Sequence, residues 1–160
     1  GRGVYAVTVD QGMNSVLPAT PLMQERGQGQ IGIVSSLAGC RGLPGAPAYC
    51  GSKAAVKVFG EGLRPTATRD GIEVSVICPG YIRTPMTDVN TFPMPFLMDA
   101  TKAADIIRRG LERNKPRIAF PWPMHAVVPL LQIIPPSWID GLMARLLTKS
   151  HRMPPGGLRI

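Results

Sequence analysis

The sequence predicts an α/β fold, and three observations lead there. The run Gln30-Ile31-Gly32-Ile33-Val34-Ser35-Ser36 reads as a short buried strand ending in two hydroxyls, and Val74-Ser75-Val76-Ile77-Cys78 reads as a second strand. Between them, Ala48 to Arg64 has helical composition, so strand and helix alternate. A chain of 160 residues with 44% hydrophobic and 18% charged residues fits one globular domain.

Taken in order, Tyr5 to Glu25 suggests a helix disturbed by Pro18 and Pro21, followed by a polar turn from Arg26 to Gln30. The serine strand comes next, then the loop Gly42-Leu43-Pro44-Gly45-Ala46-Pro47. The helix opening at Ala48 is expected to end at Arg64, because Pro65 removes an amide donor and clashes with the preceding turn. After the second strand, Pro79-Gly80 is a turn signal, and residues 84–99 are rich in Pro, Met and Phe, as in an irregular connector. Ala100 to Glu112 has helical composition, and Arg117 to Phe120 is a candidate last strand.

Chemistry concentrates at Tyr49 and Lys53, whose spacing puts a phenol and an ammonium on one helix face a turn apart. Free tyrosine holds its proton to about pH 10, so proton exchange near neutrality needs a neighbouring cation that stabilises the phenolate. The same pair also suits a solvated helix face, and the upstream Ser36, on a strand end, tips the reading toward catalysis.

The segment Ile33-Val34-Ser35-Ser36-Leu37-Ala38-Gly39, the loop Gly42 to Pro47, the Tyr49-x-x-x-Lys53 helix and Ile77-Cys78-Pro79-Gly80-Tyr81-Ile82-Arg83-Thr84 together resemble the short-chain dehydrogenase/reductase family. The resemblance covers about residues 5–120, with 121–160 an apolar, basic C-terminal extension. It implies a Rossmann-type, doubly wound parallel sheet represented by its C-terminal half. It also implies an oxidoreductase that interconverts a carbonyl and an alcohol with NAD or NADP. Tyr49 would be the general acid/base. Lys53 would lower the phenol's pKa and hold the nicotinamide ribose. Ser36 would hydrogen-bond the reacting oxygen, with Ser35 its nearest rival. Pro79, Gly80, Ile82 and Thr84 would lie against the nicotinamide. A small-molecule carbonyl or alcohol and a homo-oligomer are the partners implied.

The sequence departs from the family pattern in two places. Thr8 stands fifteen residues ahead of Met23, where the family usually has an asparagine that helps connect the lysine to solvent. Asn14, six residues further along a helix, lies about 240° away and cannot replace it. No glycine-rich strand-turn-helix that would receive a pyrophosphate is present; Gly27-Gln28-Gly29-Gln30 lacks a third glycine and precedes a strand. The chain therefore reads as the catalytic half, expected to be inactive alone. A non-catalytic interaction module that keeps the motif as ancestry is the alternative.

Cys40, Cys50 and Cys78 lack metal spacing, as do His125 and His151, so no metal is expected and reduced thiols point to a cytoplasmic setting. No Asp, Glu, Lys or Arg occurs from Ile118 to Ile139, yet Pro121, Pro123, Pro129, Pro135 and Pro136 argue against one continuous membrane span. A short helix is expected from Ser137, with Trp138, Ile139, Leu142, Met143, Leu146 and Leu147 on one side. Residues 101–160 hold ten Lys/Arg against three Asp/Glu, +7 of the net +8. This tail suits packing against its own fold or a dimer partner, the preferred reading, or weak contact with an anionic membrane surface through residues 118–152. Nucleic acid is not expected, since no recognition motif accompanies the charge.

Overall fold

The computed structural model describes residues 2–43, 46–88, 94–135 and 137–138. Three parallel strands form the sheet in the order β1 (Gly29–Val34), β2 (Ile72–Pro79), β3 (Arg117–Phe120). Helices α1 (Arg2–Arg26) and α2 (Pro47–Arg69) cover one face and α4 (Ala100–Glu112) the other, while a short α3 (Pro85–Asp88) precedes α4 and α5 (Trp122–Ile133) follows β3. The sheet is therefore doubly wound, as expected.

Alternation along the strands feeds two cores. Ile31, Ile33, Ile72 and Val74 meet Val9 of α1 and Val56 and Ala67 of α2, with Met13, Val16 and Met23 alongside. On the opposite face Ile77 and Ile118 meet Ala103, Ile106, Ile107 and Leu111 around α4. Burying a large aliphatic side chain contributes about 1.5–3 kcal/mol. Packing of this size outweighs helix breakers on the water side, which explains the departures from expectation.

Helix α1 runs unbroken past Pro18 and Pro21, and α2 continues through Pro65 to Arg69. All three prolines are exposed, so the carbonyls they orphan can be hydrated, and Thr20 Oγ1 and Thr68 Oγ1 donate back to the carbonyls of Val16 and Arg64 at 2.8 Å each. Pro123 falls in the first turn of α5, and Pro129 lies inside it, so these residues do not break that segment either. The predicted α4 and β3 are found with the expected bounds.

Charged ties lock α2 to the sheet. Arg64 donates to the carbonyl of Val74 and to Asn114 Oδ1 at 2.9 Å. Glu61 receives Lys57 at 3.2 Å and also binds Arg117 of β3. Burial pushes the Glu61 carboxyl up, but the hydrogen bonds and charges of Arg117 and Lys57 outweigh it and leave its pKa lowered.

Two of the three strands begin after a glycine in the left-handed region: Gly27 (φ 64°) between α1 and β1 and Gly71 (φ 73°) between α2 and β2. The two differ in surroundings. A Cβ on Gly71 would sit 2.1 Å from the Gly27 carbonyl oxygen, whereas one on Gly27 would meet nothing within 4 Å. Gly27→Ala is expected to cost about 1 kcal/mol from backbone strain alone, and Gly71→Ala about 3 kcal/mol or more because two backbones must separate. Paired urea melts of the two variants check this; equal losses would show that the contact between the turns contributes nothing.

Candidate functional site

The C-terminal ends of β1 and β2 meet the start of α2, and the backbone explains which side chains face there. Ser35 N donates to the Ile77 carbonyl at 2.8 Å, so odd-numbered backbone groups of β1 turn to β2 and even-numbered ones face the free edge. Ser35 is 2% exposed, and its hydroxyl donates to the Lys53 carbonyl at 2.7 Å. Ser36 follows in extended conformation, opens the 3-10 turn Leu37–Gly39 and accepts from Ala38 N at 3.1 Å. Its hydroxyl also approaches the Pro79 carbonyl at 3.4 Å, which places it between the ends of β1 and β2.

Lys53 is half-buried and Tyr49 is 40% exposed. The Lys53 ammonium lies 5.9 Å from the centroid of the Tyr49 ring and donates to the Val34 carbonyl at 3.3 Å. That carbonyl belongs to the free edge of β1, so the lysine satisfies an edge group that β2 cannot reach. Burial lowers the Lys53 pKa. The Tyr49 carbonyl accepts from Ser52 Oγ at 2.8 Å, fixing the turn that carries the phenol.

Lys53 also lines a groove of about 440 Å³ together with Val7, Thr8, Met13, Val34 and Phe59. Thr8 thus shares a cavity with the lysine, while Asn14 is exposed. The groove follows the free edge of β1 at the C-terminal end of the sheet, where open α/β folds hold ligands. Beside the bond to Val34, the ammonium has donors left that a ligand hydroxyl could accept from.

The loop after β2 is held from several sides. Gly80 N donates to the Phe120 carbonyl at 2.7 Å. Ile82 forms an isolated parallel bridge with Met98, flanked by Arg83 N to the Met98 carbonyl at 2.8 Å and Met98 N to the Tyr81 carbonyl at 3.0 Å. These bonds clasp the two ends of the proline-rich stretch, of which residues 89–93 lie outside the described residues. Thr84 is turned into α3: its Oγ1 accepts from Thr87 N and faces Thr87 Oγ1, both at 3.3 Å. Here the threonine organises a helix start.

Sequence reasoning gave Tyr81 no role. The Tyr81 phenol is half-buried, and its pKa is raised by burial and by the nearby Cys50 and Tyr49. An aromatic directly after a strand-ending Pro-Gly was the available signal. Cys50 Sγ accepts from Leu43 N at 3.3 Å, pinning the loop that precedes α2. Burial, with Cys40 nearby, pushes the Cys78 thiol up to about 11, so it stays protonated and inert. Among the described residues no group of His, Cys, Asp and Glu could hold a metal.

The serine turn reaches Lys53 only because Gly39 has no side chain. A Cβ there would lie 2.8 Å from the Lys53 carbonyl carbon and oxygen and 3.0 Å from Ala54 N. These are backbone atoms that cannot swing aside. Gly39→Ala is expected to cost about 1–3 kcal/mol, while Gly51→Ala, with nothing within 4 Å in the same helix, should stabilise by about 0.5–1 kcal/mol. Thermal melts of both variants read the difference, and a harmless Gly39→Ala would contradict the close packing.

A sequence model described as short chain dehydrogenase matches residues 3–92. An uncharacterised oxidoreductase of Myxococcus xanthus is 35% identical over 145 residues, covering 91% of this chain and 57% of the relative. Among solved structures, acetoin dehydrogenase from Enterobacter cloacae superposes with a TM-score of 0.63 at 23% identity, over 74% of this chain and 52% of that one. A short-chain dehydrogenase from Sphingobium yanoikuyae in complex with NADPH gives 0.60 at 21% identity, over 86% and 52%. At these identities the structures speak for the fold alone. The chain spans about half the length of the curated relatives it matches. With the model match over more than half of the chain, the sheet and the relatives in agreement, the chain belongs to the short-chain dehydrogenase/reductase family.

Proposed function

We propose that this chain carries the proton-transfer side of an NAD(P)-dependent oxidoreductase that interconverts a small-molecule carbonyl and its alcohol. The observation that carries the reading is the Lys53 ammonium, tethered to the Val34 carbonyl and 5.9 Å from the Tyr49 ring. Family membership and the NADPH bound by a structural relative support the cofactor class, and neither chooses between NAD and NADP. When bound, the nicotinamide cofactor supplies or accepts the hydride.

In the reducing direction Tyr49 gives its phenolic proton to the substrate oxygen. Lys53 stabilises the phenolate that remains, and it can do so because partial burial reduces the screening of its charge. Ser36 donates a hydrogen bond to the same oxygen as negative charge develops there. Ser35 is committed to the Lys53 carbonyl and serves as support. Pro79, Gly80 and Ile82 form the wall beside the nicotinamide, and Thr84 acts by holding that wall to α3. In the oxidising direction each step reverses.

The test uses a protein that joins this chain to a dinucleotide-binding half. Tyr49→Phe is expected to slow carbonyl reduction by about 100-fold or more, the range lost with a general acid, while the cofactor dissociation constant stays within about twofold. Turnover like the parent's in that variant would sink the assignment.

A further inference from the structure

Helix α5 differs from the other surface helix at this end of the fold. Helix α4 turns Lys102, Asp105, Arg108, Arg109 and Glu112 to water. Helix α5 contains no Asp, Glu, Lys or Arg. Its inner side places Met124 on Leu37, Val76 and Cys78. At 100° per residue, Trp122, Ala126 and Ile133 share an outer face about 40° wide. Trp122 is 78% exposed and Ile133 80%, and Trp138, just beyond the helix, is 78% exposed.

We propose that the outer face of α5 docks on the surface of an anionic lipid bilayer. Sequence reasoning prefers a tail packed on its own fold; Met124 packs so, while Trp122, Ile133 and Trp138 on the other side stand exposed. Two tryptophans flanking an uncharged apolar face suit the interface between headgroups and acyl chains. The helix has 12 residues and spans about 18 Å, short of the roughly 30 Å hydrocarbon core, so it lies on the surface. Among the described residues no helix is long and apolar enough to cross a membrane.

Charge selects the lipid. Arg145, Lys149 and Arg152 follow the apolar segment in sequence. Basic residues near an anionic surface strengthen binding, most at low salt.

Flotation of the chain with phosphatidylcholine vesicles, with and without phosphatidylserine, tests the proposal. Binding should need phosphatidylserine, fall as salt rises, and shift tryptophan emission to the blue. The double variant Trp122→Glu/Ile133→Glu should lose about tenfold or more of its vesicle partition while melting and eluting like the parent. Val58→Glu, at a side chain 62% exposed on α2, should bind as the parent does. A parent that ignores phosphatidylserine vesicles overturns the proposal, as does equal release by Val58→Glu. A double variant with a lower melting midpoint or a changed elution volume also overturns it, showing that the tail or a second copy covers this face.

Discussion

The parallel register of β1 on β2 decides which of two adjacent serines is tied to the Lys53 carbonyl and which faces the proposed chemistry. Val34 lies opposite Ile77, and the bond from Ser35 N to the Ile77 carbonyl carries the ladder one residue further. Because side chains alternate, a slip of one residue would exchange the places of Ser35 and Ser36 and turn Ile31 and Ile33 out of the core. The isoleucines therefore set the register, and the register sets the site. From it follow the tie between Ser35 and the Lys53 carbonyl, the extended Ser36 at the end of β2, and the 3-10 turn that Gly39 packs on α2.

Lysine 53 is the point where fold and proposed chemistry share one group. Its backbone carbonyl receives Ser35, its ammonium satisfies the Val34 carbonyl on the free edge, and its charge lies near the Tyr49 ring. A half-buried ammonium is costly unless it is hydrogen-bonded, and the edge carbonyl meets that need without neutralising the charge. A carboxylate in the same place would hold the lysine more tightly and cancel the field that a phenolate requires. The charged partners of α2 instead lie further along the helix, where Glu61 joins Lys57 and Arg117.

Most of this was legible in the sequence because it rests on local pattern. The apolar runs before Ser36 and Pro79 are strands, and the spacing of Tyr49 and Lys53 puts both on α2. Helix ends were less legible. Pro18, Pro21 and Pro65 look like stops, but each faces water on a helix whose other side is held by the core, and tertiary packing overrides the local cost. Thr84 illustrates another limit: its motif suggests a ligand contact, and nothing in it foretells that the same hydroxyl also accepts from Thr87 N at the start of α3. The division of labour between Ser35 and Ser36 was open to residue-by-residue reading, since only the register assigns a face to each.

That division also gives the most direct measurement. Ser35→Ala and Ser36→Ala, made in a protein that joins this chain to a dinucleotide-binding half, are compared for melting midpoint and for NAD(P)H-dependent carbonyl turnover. The account predicts that Ser35→Ala lowers the melting midpoint by several degrees through the lost buried hydrogen bond but keeps turnover within about twofold, whereas Ser36→Ala, which also gives up its cap bond to Ala38 N, loses turnover by about tenfold or more. The reverse assignment, with Ser36→Ala active and Ser35→Ala stable but inactive, would contradict it.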